Sequence, residues 1–401
     1  MAPPGRPGDA AGPGRRPSRS LIFGITITGI LSTTLVAPAI PEIIDDFGVG
    51  GSGAGLLIAA LTFPGIVVAP VIGLLADRYG RRAVLVPCLA VFGLFGGLGG
   101  LMPTFWLLIL CRLLQGVGSA GLINLAVVII GDHWDGTERA RMIGHNSAVL
   151  TMSIAVLPPV GGLLTDLGGW RLAFAPYWLG LLTAALVGRS LPRSARRQVR
   201  MGDQLRDALA VVRRPHVTAT IGTGFVVFLL VFGLFLTAMP IYAHEAFGLG
   251  AGTRGLLLGL PAIGSTAAAL SLGRLNARFG SHRLVTAASL LFVIAFTIIG
   301  SVPVLWVTVA AVLVYGLGEG ITIPGMQDLV AGAAPGESRG AVVAVWVGSA
   351  RAGQTVGPLV AGQGVTAAGG QATFLAGAVV AAAMLAGQVV LRRRAPDLAA
   401  A

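Results

Sequence analysis

Charged residues are scarce in this sequence. Only 11% of its 401 residues are charged, and all 28 basic residues are arginines, because lysine does not occur. A soluble domain carries about 25% charged residues. Together with 55% hydrophobic residues, this composition excludes an ordinary soluble domain and indicates an integral membrane protein. The 60 glycines fit that class, since small residues let transmembrane helices pack closely.

Cysteine is almost absent as well. Cys88 and Cys111 both lie in apolar segments, so the sequence predicts neither a disulfide framework nor a metal site, and no cofactor is expected. It also lacks paired carboxylates, a nucleophile triad and glycine-rich loops after strands, so we do not expect an enzyme. The net charge of +12 does not indicate nucleic-acid binding, because the arginines lie between apolar runs.

Twelve apolar runs of about 20 residues are long enough to cross the hydrocarbon core of a bilayer. They are predicted at 21–40, 56–75, 83–102, 105–130, 144–164, 172–187, 218–242, 256–272, 284–303, 305–330, 341–365 and 373–391. The first run ends in Ala37-Pro38-Ala39, which resembles a signal-peptide cleavage site. Eleven further runs of the same kind favour a transmembrane span instead.

The arginines predict the orientation. If the N-terminal tail and every even-numbered loop lie on one side, 24 of the 28 arginines lie there, and the positive-inside rule identifies that side as the cytoplasm. Arg171 and Arg254 then lie outside, whereas Arg112 and Arg351 fall within spans. We therefore expect a multi-pass protein of the cytoplasmic (plasma) membrane with both termini in the cytoplasm.

The predicted organisation has five parts. They are a disordered cytoplasmic tail (1–19), an N-terminal six-helix bundle (20–188), a basic cytoplasmic linker (189–216), a C-terminal six-helix bundle (217–394) and a cytoplasmic tail (395–401). Residues 201–212 of the linker fit either a solvated segment or a short amphipathic helix on the membrane surface.

The two halves of the chain match at a constant offset of 200 residues. The matching positions are Phe47 and Phe247, Gly48 and Gly248, Gly73 and Gly273, Arg78 and Arg278, Gly80 and Gly280, Trp106 and Trp306, Gly116 and Gly316, Gly118 and Gly318, Arg139 and Arg339, Pro158 and Pro358, and Phe174 and Phe374. One register through six spans indicates a duplication. Parallel six-helix repeats are a transporter architecture, with the substrate path between the halves.

A charge-dense loop between the second and third runs reads GLLADRYGRR over residues 73–82. It is similar to Gly-x-Leu-Ala-Asp-Arg-x-Gly-Arg-Arg/Lys, the signature of the major facilitator superfamily, which the chain resembles from Arg19 to Arg394. The residues that match are Gly73, Asp77, Arg78, Gly80, Arg81 and Arg82. The resemblance implies an all-α integral membrane fold with twelve transmembrane helices in two pseudo-symmetric six-helix bundles.

The resemblance also implies a conformational latch. Asp77 would hold the halves together in the outward-open state by facing the positive N-terminal end of span eleven, near residues 338–341. Arg81 would pair with an acid at the inner end of span four, a position that Asp132 matches. The second copy of the loop, GRLNARFGSHR, carries Ala277 at the position of Asp77, so we expect the latch to be one-sided.

Two spans carry further family patterns. In span four, Arg112, Gln115, Gly116 and Gly118 match Arg-x-x-Gln-Gly-x-Gly. An arginine in the bilayer costs about 2.5–3.5 kcal/mol, so we expect Arg112 to serve the cavity or a proton relay, or else to bind backbone carbonyls.

Span five reads VLPPVGGLL, which is similar to the antiporter pattern Gly-Pro-x-x-Gly-Gly except that Leu157 replaces its first glycine. The residues expected to bend helices in spans five and eleven are Pro158, Gly161, Gly162, Gly357 and Pro358.

Glu319 is the only acid predicted near the middle of the membrane, in span ten. Arg351 reaches a similar depth in span eleven, and neighbouring helices would allow contact between them. Glu319 is expected to exchange a proton or to bind a cationic substrate, with Arg351 favouring its ionised form. The alternative is a silent buried ion pair. The residues predicted to line the cavity or its edge are Gln115, Asn124, Phe228, Phe232 and Gln354, with Phe225 and Phe235 as further candidates.

These features favour a drug:proton antiporter-like transporter. We expect proton-driven efflux of a small amphipathic or aromatic molecule by alternating access, with protons and lipid as partners and a monomeric state. The alternatives are a proton-coupled importer of a metabolite or a sugar exporter of the same fold, and, less favoured, a non-transporting membrane sensor.

Overall fold

The computed structural model describes residues 16–192, 215–332 and 339–394. The tails predicted at 1–19 and 395–401 and the predicted linker therefore lie wholly or largely outside the described residues. Within the described ranges the secondary structure is helical, without strands. The first six helices are α1 Arg19–Phe47, α2 Gly50–Tyr79, α3 Arg81–Gly99, α4 Phe105–His133, α5 Gly136–Leu172 and α6 Leu179–Ser190. The next four are α7 Val217–Phe247, α8 Ala251–Phe279, α9 Ser281–Ser301 and α10 Leu305–Gly332, followed by α11 at 339–368 and α12 at 370–394.

Among the described residues, ten helices are long and apolar enough to cross a membrane. Division of the last of them at a glycine break, together with the shorter α6, gives the twelve predicted spans. The last of the ten contains Gly369, whose backbone is not helical, and Gly364 lies against Thr373 across that break. The break therefore separates α11 from α12. The equivalent break at Gly168 and Gly169 ends the transmembrane part of α5, and α6 is the sixth span.

The repeat of 200 residues is visible in the backbone. Gly169 and Gly369 have φ values of 74° and 78° with ψ near 170°, and Gly80 and Gly280 have φ values of 94° and 76° with ψ near 150°. Residues with a side chain are almost excluded from this region. Glycine thus permits the same sharp reversals at the same places in both halves.

The halves meet through two equivalent helix pairs, α2 with α11 and α5 with α8. A Cβ on Gly55 would lie 2.3 Å from the carbonyl oxygen of Pro358, and a Cβ on Gly255 would lie 2.4 Å from that of Pro158. These two contacts are related by the 200-residue offset. Backbone packed against backbone in this way is typical of membrane helices that associate without a hydrophobic driving force.

One turn away, the same relation recurs. A Cβ on Gly362 would lie 2.4 Å from the Gly51 carbonyl oxygen, and a Cβ on Gly162 would lie 2.2 Å from that of Ala251. These contacts involve the beginnings of α2 and α8, at the face of the bundle opposite to the chain termini. We call this side of the bundle the opposite face, and the side that carries the chain termini the terminal face. The halves are therefore closed against each other at the opposite face.

The residues expected to bend helices thus serve close packing. Gly161 lies against the Leu35 carbonyl oxygen of α1, and Gly357 against that of Leu229 in α7. The only non-helical dihedral angles inside the described parts of these long helices are at Gly168, Gly169 and Gly369. The backbone dihedral angles at both prolines are helical, and a bend of the helix axis there stays a prediction.

We expect Gly55→Val or Gly255→Val to open the opposite face. The added side chain overlaps a fixed carbonyl oxygen, and overpacking of about 1–3 kcal/mol shifts the open-to-closed ratio by roughly 5- to 160-fold. The measurement is the rate at which an impermeant maleimide labels Thr62→Cys, a position 2% exposed in this interface. Gly24→Val and Gly222→Val are the controls, because nothing lies within 4 Å of a Cβ there. Equal labelling in all four variants would contradict the packing role.

Candidate functional site

The charged loop at the terminal face ties three helices together. Asp77 lies in the last helical turn of α2, Gly80 reverses the chain, and Arg81 begins α3. The Arg81 guanidinium donates through Nη1 to Asp77 and through Nε to Asp132 Oδ2 at 3.1 Å, with only 12% of its side chain exposed. One arginine thus joins the ends of α2, α3 and α4. Arg82 also donates to the Leu191 carbonyl oxygen at 3.4 Å.

The interface expected for the Asp77 latch lies at the edge of the described structure. Residue 338 is outside the described residues, and the side chains of 339–341 are not described. Asp77 instead borders a cleft of about 150 Å³ that Gly73 and Asn124 also line. Asn124, predicted for the central path, is therefore exposed beside Asp77. Arg78 lies over the Tyr79 ring, 5.5 Å from its centroid.

The second copy of the loop is held by a hydroxyl group. The Ser281 hydroxyl, at the position equivalent to Arg81, is 2.6 Å from Asp328 Oδ2 and 2.7 Å from the Asn276 side-chain amide. Ser281 therefore occupies the place of the guanidinium. Since Ala277 replaces the acid, this half has no equivalent of the Asp77 carboxylate.

Arg112 is enclosed within the N-terminal half. It is 1% exposed, and its Nη1 donates to Gln115 Oε1 at 2.9 Å and to the Tyr177 hydroxyl at 3.3 Å. Its guanidinium carbon lies 5.6 Å and 5.9 Å from the ring centroids of Phe174 and Tyr177. Such cation–π contacts partly replace a counter-ion. Arg112 Nε and Nη2 have no partner among the described residues.

Two predictions for this region therefore differ from the structure. Gln115, expected at the cavity, is fully buried between helices, and its amide nitrogen lies 2.7 Å from a Cβ built on Gly96. Arg112 was expected to serve the cavity or a proton relay, or else to bind backbone carbonyls. In the structure it contacts aromatic and amide side chains instead. Gly116 packs against the Leu61 carbonyl oxygen, and Gly118 against Cys88 and Phe92.

Glu319 and Arg351 are not paired. Glu319 is half-buried in α10, and the ion pairs between described residues do not include one to Arg351. Arg351 Nη1 donates to Gln354 Oε1 at 3.1 Å, and its Cδ lies 3.2 Å from a Cβ built on Gly65 of α2. The expected contact is therefore not formed, because Arg351 packs toward the other half.

Gln354 belongs to a polar contact between the halves. The Thr62 hydroxyl lies 3.2 Å from the Gln354 carbonyl oxygen and 3.1 Å from the Thr355 hydroxyl. Gln354 is 9% exposed. It lies in the α2–α11 interface, whereas the prediction had placed it at the edge of the cavity.

Aromatic residues of α7, α10 and α11 form the apolar part of the candidate site. Phe228 contacts Phe232 and Trp346, with ring centroids 6.3 Å and 6.2 Å apart. Phe235 stacks on Tyr315 at 4.6 Å, one helical turn before Glu319. Phe228 is half-buried and Phe232 is 8% exposed. The stacked pair of Phe235 and Tyr315, both buried, thus lies one helical turn from Glu319.

This aromatic region has features that the sequence did not reveal. Residues Val231–Ala238 of α7 form a π-helix, and Thr237 donates to the Phe232 carbonyl oxygen at 2.8 Å. π-Helical turns are frequent at functional sites. The Trp346 indole N–H is buried without a partner among the described residues.

A polar cluster at the opposite face was also missed. Arg254 of α8 is 0% exposed, donates to Glu42 and to the Pro38 carbonyl oxygen of α1, and thereby joins the two halves. Asp166, just before the glycine break in α5, accepts from the Gly252 amide at 2.9 Å at the start of α8. One sequence signal was available, because Arg254 is one of two arginines that break the predicted charge asymmetry.

The chain matches known proteins over most of its length. Residues 22–254 and 221–400 match the family model of the Major Facilitator Superfamily. The multi-drug resistance efflux pump PmrA of Streptococcus pneumoniae is 28% identical over 83% of this chain and 88% of its own length. The chloramphenicol resistance protein of Streptomyces lividans is 28% identical over 82% and 84%. The multidrug transporter MdtP of Bacillus subtilis is 31% identical, but over 44% of this chain and 34% of its own.

The fold is also similar to a solved structure. The crystal structure of a bacterial homologue of the human lysosomal transporter Spinster, in an inward-facing and occupied conformation, aligns with a TM-score of 0.77 at 18% identity, over 93% of this chain and 96% of that one. The predicted fold of two six-helix bundles is thereby confirmed.

We expect the two enclosed arginines to respond oppositely to replacement by methionine. Arg254→Met leaves Glu42 without its cation and should lower the unfolding temperature. The loss of stability should be smaller than the roughly 3–5 kcal/mol of a fully buried pair, because Glu42 is 35% exposed. Arg112→Met removes a buried charge that has no carboxylate partner and should leave that temperature unchanged or raise it. Thermal unfolding in detergent measures both. A comparable loss in Arg112→Met would contradict this assignment.

Proposed function

Because the chain belongs to the Major Facilitator Superfamily, we propose that it is a proton-driven transporter that exports a small amphipathic or aromatic molecule. The observation that carries this proposal is the half-buried Glu319 carboxylate, which has no cationic partner among the described residues and lies one helical turn from the buried Phe235–Tyr315 stack. A carboxylate in such a place is suited to exchange a proton or to bind a cation. The names of two relatives, a multi-drug efflux pump and a chloramphenicol resistance protein, support export.

The proposed orientation places the terminal face in the cytoplasm of a plasma-membrane protein. The distribution of 24 of 28 arginines supports it through the positive-inside rule. The present conformation, closed at the opposite face, is then the one that receives substrate from the cytoplasm. Both halves of the path belong to one chain, so a monomer suffices.

The proposed cycle uses the two faces in turn. Substrate reaches the half-buried Phe228 and Glu319 from the cytoplasm. The α2–α11 and α5–α8 interfaces then separate at the outer face while the terminal face closes, with Asp77 at the N-terminal end of α11. A proton taken up by Glu319 from outside displaces a cationic or polarised substrate, because a neutral carboxyl group attracts it less. Return to the present conformation releases the proton inside.

The proposal predicts that Glu319→Gln abolishes pH-driven transport. In everted membrane vesicles with an acidic interior, the wild type should accumulate ethidium or radiolabelled chloramphenicol, whereas the variant should fall to the level of vesicles without the protein. Glu138→Gln is the matched control, since Glu138 is exposed at the terminal face, in an ion pair with Arg16. Full accumulation by Glu319→Gln would refute the role of Glu319. Wild-type accumulation in right-side-out vesicles instead would identify an importer.

The latch predicts a shift in conformation for Asp77→Asn. Asp77→Asn removes the charge that faces the N-terminal end of α11 in the outward-open state and should destabilise that state. A cysteine at position 62 should then be labelled more slowly from the opposite face. Cysteine labelling with and without substrate measures this. Glu138→Gln, which breaks an exposed ion pair with Arg16 at the same face, is the control. An unchanged labelling rate in Asp77→Asn would show that Asp77 is not the latch.

A further inference from the structure

The closed opposite face depends on the four partners of Arg254. Arg254 Nε donates to the Pro38 carbonyl oxygen at 3.0 Å, and Nη2 donates to Glu42; both acceptors belong to α1. Nη1 lies 2.9 Å from both His244 Nδ1 and the Leu249 carbonyl oxygen, in its own half. The side chain is 0% exposed. A single guanidinium therefore bridges the two halves while resting on the imidazole of His244.

This geometry defines the protonation state of His244. A guanidinium has only N–H donors, so the imidazole nitrogen that faces it must be an acceptor. His244 Nδ1 therefore carries no hydrogen, and the proton of the neutral ring is on Nε2. The separation of 3.4 Å between Nδ1 and the Leu249 carbonyl oxygen is then not a hydrogen bond, and that oxygen accepts from Arg254 instead.

Protonation of His244 is incompatible with this arrangement. An imidazolium carries hydrogens on both nitrogens, so it cannot accept from Arg254, and it places a second positive charge at 2.9 Å. The two cations repel each other at this distance, and displacement of Arg254 would break its bonds to Pro38 and Glu42 across the interface. His244 is an exposed residue at the opposite face, so protons reach it from that side.

The carboxylates near His244 belong to α1 and α7. Glu42, Asp45 and Asp46 lie on α1, which packs against the end of α7, and Glu245 is the next residue on α7 itself. Two carboxylates of this region have partners of their own. Asp46 accepts from Trp170 and Arg171, and Asp166 accepts from the Gly252 amide. One oxygen of Glu42 is buried without a partner among the described residues.

We propose that His244 is a proton-binding site at the opposite face that releases Arg254 when it is protonated and so opens that face. Acidification on that side would thus favour the conformation closed at the terminal face. This inference does not depend on protons driving transport, because the site acts on the conformation whether or not Glu319 carries a coupling proton.

The distance between two spin labels tests the proposal directly. Leu101 and Ser301 are pseudo-equivalent, exposed and located at the opposite face, and neither is a hydrogen-bond partner of Arg254. Cysteines at these positions, with Cys88 and Cys111 replaced by alanine, carry the labels, and the open fraction is measured between pH 8 and pH 5.5 in nanodiscs. Linkage to one proton predicts that the open-to-closed ratio rises by up to about tenfold for each unit by which the pH falls.

Four variants separate the possible sensors. His244→Gln retains a side-chain oxygen that accepts from Arg254 and should stay closed throughout the pH range. His244→Lys should be open throughout, and His145→Gln, an exposed histidine in α5, should behave as the wild type. The proposal is overturned if the wild type shows no pH dependence, or if the dependence persists in His244→Gln. Dependence that survives in His244→Gln but disappears in Glu42→Gln would identify Glu42 as the sensor.

Discussion

Backbone contact between the two halves is the constraint on which the structure depends. At the opposite face, glycines of α2 and α8 lie against the carbonyl oxygens of Pro358 and Pro158. Such contacts are close enough that a single added carbon prevents them, yet they contain few strong bonds. An interface of this kind can seal a membrane protein and still separate within a transport cycle. The Arg254 cluster and the Thr62 hydroxyl contact supply the polar part of the same seal.

The pseudo-symmetry of the chain explains why closure occurs in two places at once. Gly55 with Pro358 and Gly255 with Pro158 are the same contact made twice, with the roles of the halves exchanged. Rocking of one half against the other therefore opens or closes both helix pairs together. The terminal face is less symmetric, because an Asp77–Arg81–Asp132 cluster in one half corresponds to a serine held between Asn276 and Asp328 in the other.

The sequence predicted what depends on composition, length and repetition. The number of spans and the two bundles follow from such patterns. It could not predict which side of a helix a residue occupies relative to its neighbours. Glu319 and Arg351 have similar depths, but depth along a helix does not determine rotation about its axis, and Arg351 packs on Gly65 instead. Likewise, Tyr177 meets Arg112 across 65 residues of chain, which only the packing of α4 against the segment before α6 brings about.

The central claim is that the opposite face must open and close for each transport event. Ser52 and Thr366 meet there, with the Ser52 amide donating to the Thr366 hydroxyl at 2.9 Å. The most direct test is transport by a Ser52→Cys and Thr366→Cys double variant before and after oxidation. If the opposite face must open, the disulfide stops transport and dithiothreitol restores it. Undiminished transport by the fully cross-linked protein would contradict alternating access through this face.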